Sequence, residues 1–232
     1  MSKLSVAIIT KDSEKTIKEC IDSAKFADEI VVVDSGSSDK TVEICEKNRC
    51  KVIEKEWMGF AKQKQFAVDN CKNEWVFVLD SDEIITKELQ EEIKKTLLKP
   101  ECYGYFIARL NYFFGKAIRH CGLYPDRTLR LFDKTKGRFS SDSVHEKVVV
   151  EGKTGTLKNH MLHYAYDSIE EFIEKQNRYS SLNKKPNRLK ALLNPTWTFF
   201  KIYFLKAGFL EGWHGFIIAR LYSEYTFWKY IK

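Results

Sequence analysis

The sequence predicts an α/β fold: a doubly wound, mixed but mainly parallel sheet followed by a C-terminal helical appendage. Three observations carry this. Strand-like and helix-like stretches alternate through the first hundred of the 232 residues. Acidic residues stand at the carboxyl ends of the strand-like runs. Residues 196–232 hold 13 of the 32 aromatic side chains. A β-α-β-α order implies parallel strands with a ligand crevice outside their carboxyl ends.

"LSVAIIT" (4–10) is a short β-branched run, and a helical pattern over about 13–25 follows, with Ile17, Cys20, Ile21 and Ala24 on one face. "EIVVVD" (29–34) is a second buried strand, after which "SGSSDKT" supplies turn and N-cap residues for a helix near 40–48. A brief strand at 51–53 and a helix near 60–71 lead to the strand 75–80 in "WVFVLDSDEI". Helix 86–98 carries acids first and lysines towards its end, as the helix dipole prefers. Short strands are expected from 101 to about 165, in "YGYFIARL", "TLRLF" and "EKVVVEG", and a basic helical pattern over 167–190. "KKPNRLKALLNP" (184–195) reads as a hinge. In the tail, Trp213, Ile217, Leu221, Tyr225 and Trp228 follow helical spacing and predict one apolar-aromatic face. That face suits core packing, a helix lying in a membrane interface, or an oligomer contact.

Composition narrows the class. An apolar fraction of 44% supplies a core, and a charged fraction of 31% is ordinary for a folded chain. The six cysteines contain no C-x-x-C pair and read as buried thiols in a reducing compartment. The opening "MSKLSVAIIT" runs directly into a strand, so no signal peptide is expected, and no run of 18 uncharged apolar residues exists to span a membrane. Charge is uneven: residues 1–100 hold 17 Lys and Arg against 20 Asp and Glu, whereas residues 101–232 hold 22 against 12. The basic half suggests an anionic partner, or a solvated lysine-rich surface.

Asp80, Asp82 and Glu83 crowd the end of a buried strand, which costs repulsion and desolvation. An Asp-x-Asp turn at such a place suits Mg²⁺ or Mn²⁺, which takes one or two carboxylates with substrate phosphates and water. The plainer reading is a solvated turn that caps helix 86–98. Asp34 also ends a strand, where an acid accepts hydrogen bonds from a base or a ribose. The first turn, "TKDSEKT", lacks the glycines of a dinucleotide site, and no G-x-x-x-x-G-K-[ST] loop occurs. A phosphate-transferring hydrolase is disfavoured because its acids are expected on the first strand.

These segments carry a resemblance. "IIT" with Asp12, "VVVDSGSSDKT", "GFAKQKQFAV" and "WVFVLDSDE" resemble, in order, the nucleotide-sugar elements of inverting family-2 glycosyltransferases of GT-A fold. "YFFGKAIRHCGLYPDRTLRLF", "GRFSSDSVHE" and "LHYAY" extend it, over about residues 3–183, to bacterial lipopolysaccharide inner-core glucosyltransferases that act on a core heptose. The resemblance implies a catalytic domain over 1–183, with a nucleotide-binding half (1–100) and an acceptor half (101–183), and a basic aromatic appendage over 184–232.

It also implies roles. Thr10, Asp34, Lys64 and Asp80 would bind the nucleotide sugar, and Asp82 would ligate a divalent cation, Mg²⁺ or Mn²⁺, on the diphosphate. His163 either completes the metal shell or is a core histidine. The base that deprotonates the acceptor would be Glu146 or Asp142, which share a face if their segment is a strand. Arg127 and Arg130 are read as alternating on one strand face, meeting acceptor phosphates or an ion pair. The sequence departs from the subgroup at Asp12 and Gln65, both of which replace asparagine, and these changes bear on donor preference.

The expected function is transfer of glucose or a related sugar from a nucleotide-diphosphate donor, with a UDP-sugar favoured, to an anionic glycolipid such as a lipopolysaccharide core. The expected place is the inner face of the cytoplasmic membrane, held peripherally through the C-terminal segment, with no nucleic-acid partner. The alternatives are a same-fold transferase acting on a protein or capsule acceptor, and a non-catalytic basic module that binds nucleic acid or membrane.

Overall fold

The structure, a computed structural model, describes residues 2–140, 147–182 and 185–232. The chain forms two compact units, Met1–Arg109 with Arg127–His163, and Leu110–Asp126 with Tyr164–Lys232.

The first unit opens with β1 (Leu4–Thr10), α1 (Ile17–Ala24), β2 (Glu29–Asp34), α2 (Thr41–Lys47), β3 (Lys51–Glu54), α3 (Phe60–Asp69) and β4 (Trp75–Asp80). Along the chain β5 (Glu83–Ile85) and α4 (Lys87–Leu98) follow, then β6 (Gly104–Phe113), β7 (Lys116–Ala117), β8 (Asp126–Asp133), β9 (Gly137–Phe139), β10 (Val148–Val150) and β11 (Thr154–Tyr166), of which β7 and the carboxyl ends of β6 and β11 fall in the second unit. Among the described residues nine strands form one sheet in the order β3-β2-β1-β4-β8-β6-β11-β5, with β7 on β6, while β9 and β10 pair separately. β1 runs parallel to β2 and β4, and β2 parallel to β3. β4 meets β8, and β11 meets β5, antiparallel. The sheet is mixed, with the expected parallel half where the chain alternates strand and helix.

All seven residues of β1 are buried, as a central strand covered on both faces requires. Its side chains alternate between two apolar layers. Val6 and Ile8 pack with Ile17 and Ile21 of α1 and Leu89 and Ile93 of α4, whereas Ala7 and Ile9 pack with Ala67 and Val68 of α3. The helix expected over 13–25 begins only at Ile17, because Thr16 and Ile17 donate their amides to the Ser13 carbonyl and close a turn first. Thr86, and not the acids before it, caps α4, its hydroxyl accepting from the Leu89 amide at 3.3 Å.

The second unit contains α5 (Ile169–Leu182), α6 (Arg188–Phe200), a π-helical turn (Lys201–Leu205), a 3₁₀ turn (Gly208–Glu211) and α7 (Trp213–Ile231). The segment read as a hinge is therefore largely helix: Asn187 caps α6 by accepting from the Lys190 amide at 2.9 Å, and Pro195 lies inside it. The expected aromatic stripe of the tail is also corrected. α7 buries Gly215, Ile218, Ala219, Leu221 and Ser223, while Trp213 is 69% exposed. The reason is close approach of neighbouring backbone. A Cβ at position 215 would collide with the Gly208 carbonyl oxygen, and the Ser223 hydroxyl donates to the Pro195 carbonyl at 2.9 Å. Small residues therefore take the points of closest approach, while Ile218 and Leu221 fill the core beside them.

Among the described residues no helix is long and apolar enough to cross a membrane. The six cysteines are free thiols, and burial pushes Cys45 and Cys71 up to about 12.

Candidate active site

Parallel register brings three side chains to one rim. Thr10 pairs with Asp34 across β1 and β2, and Ile9 pairs with Asp80 across β1 and β4. The apolar runs that build the strands thus fix Thr10, Asp34 and Asp80 on adjacent carboxyl ends.

Asp34 is 2% exposed and organises its own turn. One carboxylate oxygen accepts from the Gly36 and Ser37 amides at 2.9 and 2.8 Å, and the Ser37 hydroxyl donates to the other at 2.5 Å. Gly36 permits this with a φ of +82°, in the left-handed region. Beside it the Thr10 hydroxyl is, among the described residues, a buried side-chain atom with no hydrogen-bond partner. A buried orphan of this kind costs about 1–3 kcal/mol, which a bound ligand's polar group would recover.

The departures at Asp12 and Gln65 acquire structural reasons. Asp12 adopts a φ of +46°, a conformation that Asn and Asp both tolerate, and its carboxylate accepts from the Ser38 amide at 2.8 Å. That bond joins the loop after β1 to the loop after β2. Gln65 turns away from the rim: its carbonyl accepts from the Phe139 amide at 2.8 Å, and its amide donates to Asp69.

The three acids after β4 have different fates. Asp80 sits between two cations, Lys64 at 2.8 Å and Arg130 at 2.9 Å. Burial alone would raise its carboxyl, but these two charges outweigh burial and hold it well below the usual carboxylate range. Glu83 is fully buried; Arg130 donates to it at 2.6 Å, Arg109 lies at 3.5 Å, and its second oxygen accepts from the Asp80 amide at 2.9 Å. Burial pushes Glu83 up, and the Asp80 charge adds to it against the pull of Arg130. Asp82 is the most open of the three, its side chain 33% exposed against 24% for Asp80, with the His163 imidazole at 3.6 Å. His163 arrives there because β5 pairs with β11 and sets it opposite Glu83.

The structure amends the reading of the acidic turn as a cation site: Lys64, Arg130 and Arg109 compensate Asp80 and Glu83 from within the chain, and Asp82 is the acid beside His163. The shared face of Arg127 and Arg130 is corrected as well. A spacing of three in a strand sends side chains to opposite faces, and accordingly Arg127 is exposed while Arg130 is 5% exposed in the acid cluster. Glu83, Arg109 and Gln63, which bonds Ser35 and the Lys55 carbonyl, received no role from sequence. A buried carboxylate one step beyond an Asp-x-Asp turn was the available signal for the first. Glu146 and Asp142 lie outside the described residues.

Among the described residues no three His, Cys, Asp or Glu side chains are grouped to hold a metal ion. Asp82 and His163 are two donors of suitable chemistry. They fit a hard cation that draws its remaining oxygens from a diphosphate and water.

Comparison with known proteins identifies the family. The model of "Glycosyl transferase family 2" matches residues 5–142. An uncharacterized glycosyltransferase of Rickettsia bellii is 33% identical over 251 aligned positions, covering 99% of this chain and 85% of that protein. The lipopolysaccharide core biosynthesis glycosyltransferase LpsC of Rhizobium meliloti is 33% identical over 240, covering 97% and 89%. Among solved structures, S. aureus TarS aligns with a TM-score of 0.51 at 20% identity, covering 94% of this chain, which spans about half (48%) of that one. Residues 1–349 of TarS in complex with UDP-GlcNAc align at 0.50, covering 94% and 79%. The fold is of the GT-A type, and the chain belongs to glycosyl transferase family 2.

Proposed function

We propose that the chain moves a hexose, with inversion, from a UDP-sugar to a lipopolysaccharide core or another lipid-linked glycan at the inner face of the cytoplasmic membrane. The observation that carries this reading is the rim of Thr10, Asp34 and Asp80 on three adjacent strand ends of a family-2 chain, with an unsatisfied Thr10 hydroxyl among them. Similarity to LpsC supports the acceptor class, and the UDP-GlcNAc complex of TarS supports a uridine nucleotide as donor.

In this reading Thr10 and Asp34 hold the nucleoside, and Lys64 and Asp80 border the ribose and diphosphate. Asp82 and His163 hold a divalent cation together with the diphosphate. When bound, that cation neutralises negative charge on the departing nucleoside diphosphate. Arg130 holds the Asp80 carboxylate and Glu83 accepts from the Asp80 backbone amide, so that this part of the rim is set before donor arrives. Glu146 or Asp142 takes the proton of the acceptor hydroxyl as its oxygen bonds the anomeric carbon and the bond to the diphosphate breaks. Arg127 is available to an acceptor phosphate. Residues 1–183 form the catalytic domain, and residues 184–232 the appendage that meets the membrane.

The test is product analysis. The purified protein is incubated with UDP-glucose, UDP-galactose or UDP-GlcNAc, Mn²⁺, and lipopolysaccharide truncated at the inner-core heptose. Mass spectrometry should show one added sugar from one donor, with its anomeric configuration inverted. Addition to a peptide or capsule precursor, with none to the truncated lipid, would overturn the acceptor assignment.

A further inference from the structure

The second unit turns the usual arrangement of a helix inside out. α6 buries Ala191, while its outward side carries Leu189, Leu192, Leu193, Trp197 and Phe200, all exposed, at spacings of three or four. Leu192 is 73% exposed. The stripe does not end with the helix. Trp197 stacks on Phe200 at 5.8 Å, Phe200 meets Phe204 at 5.1 Å, and Phe204 meets Tyr203 at 5.1 Å. Tyr203 in turn meets Phe216 at 6.0 Å, which stacks on Trp213 at 5.2 Å. A band of exposed rings and leucines, linked through the half-buried Tyr203, therefore runs from the start of α6 to the first turn of α7. A contiguous exposed apolar patch of this kind marks an interaction surface, whereas scattered exposed leucines do not.

Charge identifies the occupant. The second unit holds 13 Lys and Arg against seven Asp and Glu, a balance of +6 out of the chain's +7. Residues 175–210 contain eight Lys and Arg and no acid at all. Helical spacing puts Arg188 on one margin of the α6 stripe and Lys190 on the other, both exposed. An apolar stripe with aromatic rings, edged by long cations, suits a bilayer interface: the rings and leucines enter the acyl boundary while the cations stay at phosphate level. A second copy of the chain would oppose these cations with its own. Among the described residues no helix is long and apolar enough to cross the bilayer.

We propose that α6, the π and 3₁₀ turns and the start of α7 form a monotopic docking surface for anionic phospholipid membranes, with this band as the buried face. The inference deepens the membrane part of the proposed function and does not depend on the donor or acceptor assignment. Its test uses the full chain and no nucleotide. Flotation with vesicles of phosphatidylcholine alone is compared with vesicles containing 30% phosphatidylglycerol, for the wild type, Leu192→Glu/Trp197→Glu and Lys190→Glu/Lys201→Glu.

Wild type should float with the anionic vesicles, with a partition at least about tenfold above that on phosphatidylcholine, and added salt should weaken it. Each double variant should lose about tenfold or more, with its circular dichroism and melting unchanged, since the substituted residues are exposed. A wild type that stays with the protein pellet on anionic vesicles would overturn the proposal. So would variants that float as well as wild type. Sedimentation velocity separates the remaining occupant: a wild-type dimer that Leu192→Glu/Trp197→Glu converts to monomer, without flotation, would assign the band to a second copy. Release of UDP from donor in detergent, measured on the same samples, reports on the transferase reading independently.

Discussion

The acid cluster of the first unit and the aromatic band of the second depart from the same rule in opposite directions. Charges are ordinarily outside and large apolar groups inside, so a buried polar group or an exposed apolar patch is where function is read. Around Asp80 and Glu83 the chain buries carboxylates and meets each with a buried or half-buried cation. Along α6 it exposes leucines and tryptophan with nothing from the described chain over them. The first departure is compensated internally, and the second is not. What the contrast teaches is where to look for partners. The Asp80 and Glu83 charges are met from within the chain, whereas the Thr10 hydroxyl is a buried group without a partner among the described residues and the α6 stripe lies uncovered.

The largest effect that separates these regions is expected at Arg130. Arg130→Met removes a shared partner of two buried carboxylates and should cost about 3–5 kcal/mol, the range for stranding a buried charge. Urea unfolding measures it, and a loss under about 1 kcal/mol would mean that the acids are not held by this pairing. Next comes the packed face of α7. Gly215→Leu forces a side chain against the Gly208 carbonyl and should cost about 1–3 kcal/mol, with melting as the readout.

A smaller effect concerns acid. The Asp80 carboxyl is depressed by folding, so the stability it contributes is complete above its unfolded value of about 3.9 and drains away as pH falls below it. Glu83 is raised, and its contribution has the opposite sign, fading as pH rises above about 4.3. The stability gap between wild type and Asp80→Asn should therefore shrink as pH is lowered from 6 to about 2.5 in a series of urea melts. A gap that stays constant would contradict the depressed carboxyl. The smallest effect is at Trp197, which is 56% exposed: Trp197→Glu should change stability by no more than about 0.5 kcal/mol, in contrast to any charge placed in the first unit's core.

How much of this was legible in the sequence follows the range of the interactions. Thr10, Asp34 and Asp80 could be placed at strand ends because each closes a continuous β-branched or aromatic run, a signal contained within a few residues. The partners of the acids were not legible. Arg130 reaches Asp80 only because β8 pairs antiparallel with β4, and His163 reaches Asp82 only because β11 pairs with β5. Register between distant strands leaves no local pattern. Counting by twos would have separated Arg127 from Arg130. In the tail, helical spacing marked a helix and included the buried Leu221, but it put the exposed Trp213 on the packed face and missed Gly215, Ala219 and Ser223, which close helix approach selects. The hinge expected over 184–195 is largely helix because Asn187 caps a helix that contains Pro195.

In the proposed function Asp82, the most exposed of the three acids, holds a cation on a uridine diphosphate. The most direct measurement of this is thermal unfolding with UDP, with and without Mn²⁺, for wild type and Asp82→Asn. The account predicts a wild-type melting shift of several degrees that requires both UDP and metal, by RT ln(1 + [L]/Kd), and an Asp82→Asn protein equally stable alone but with that shift abolished. An equal, metal-independent shift in both proteins would contradict it.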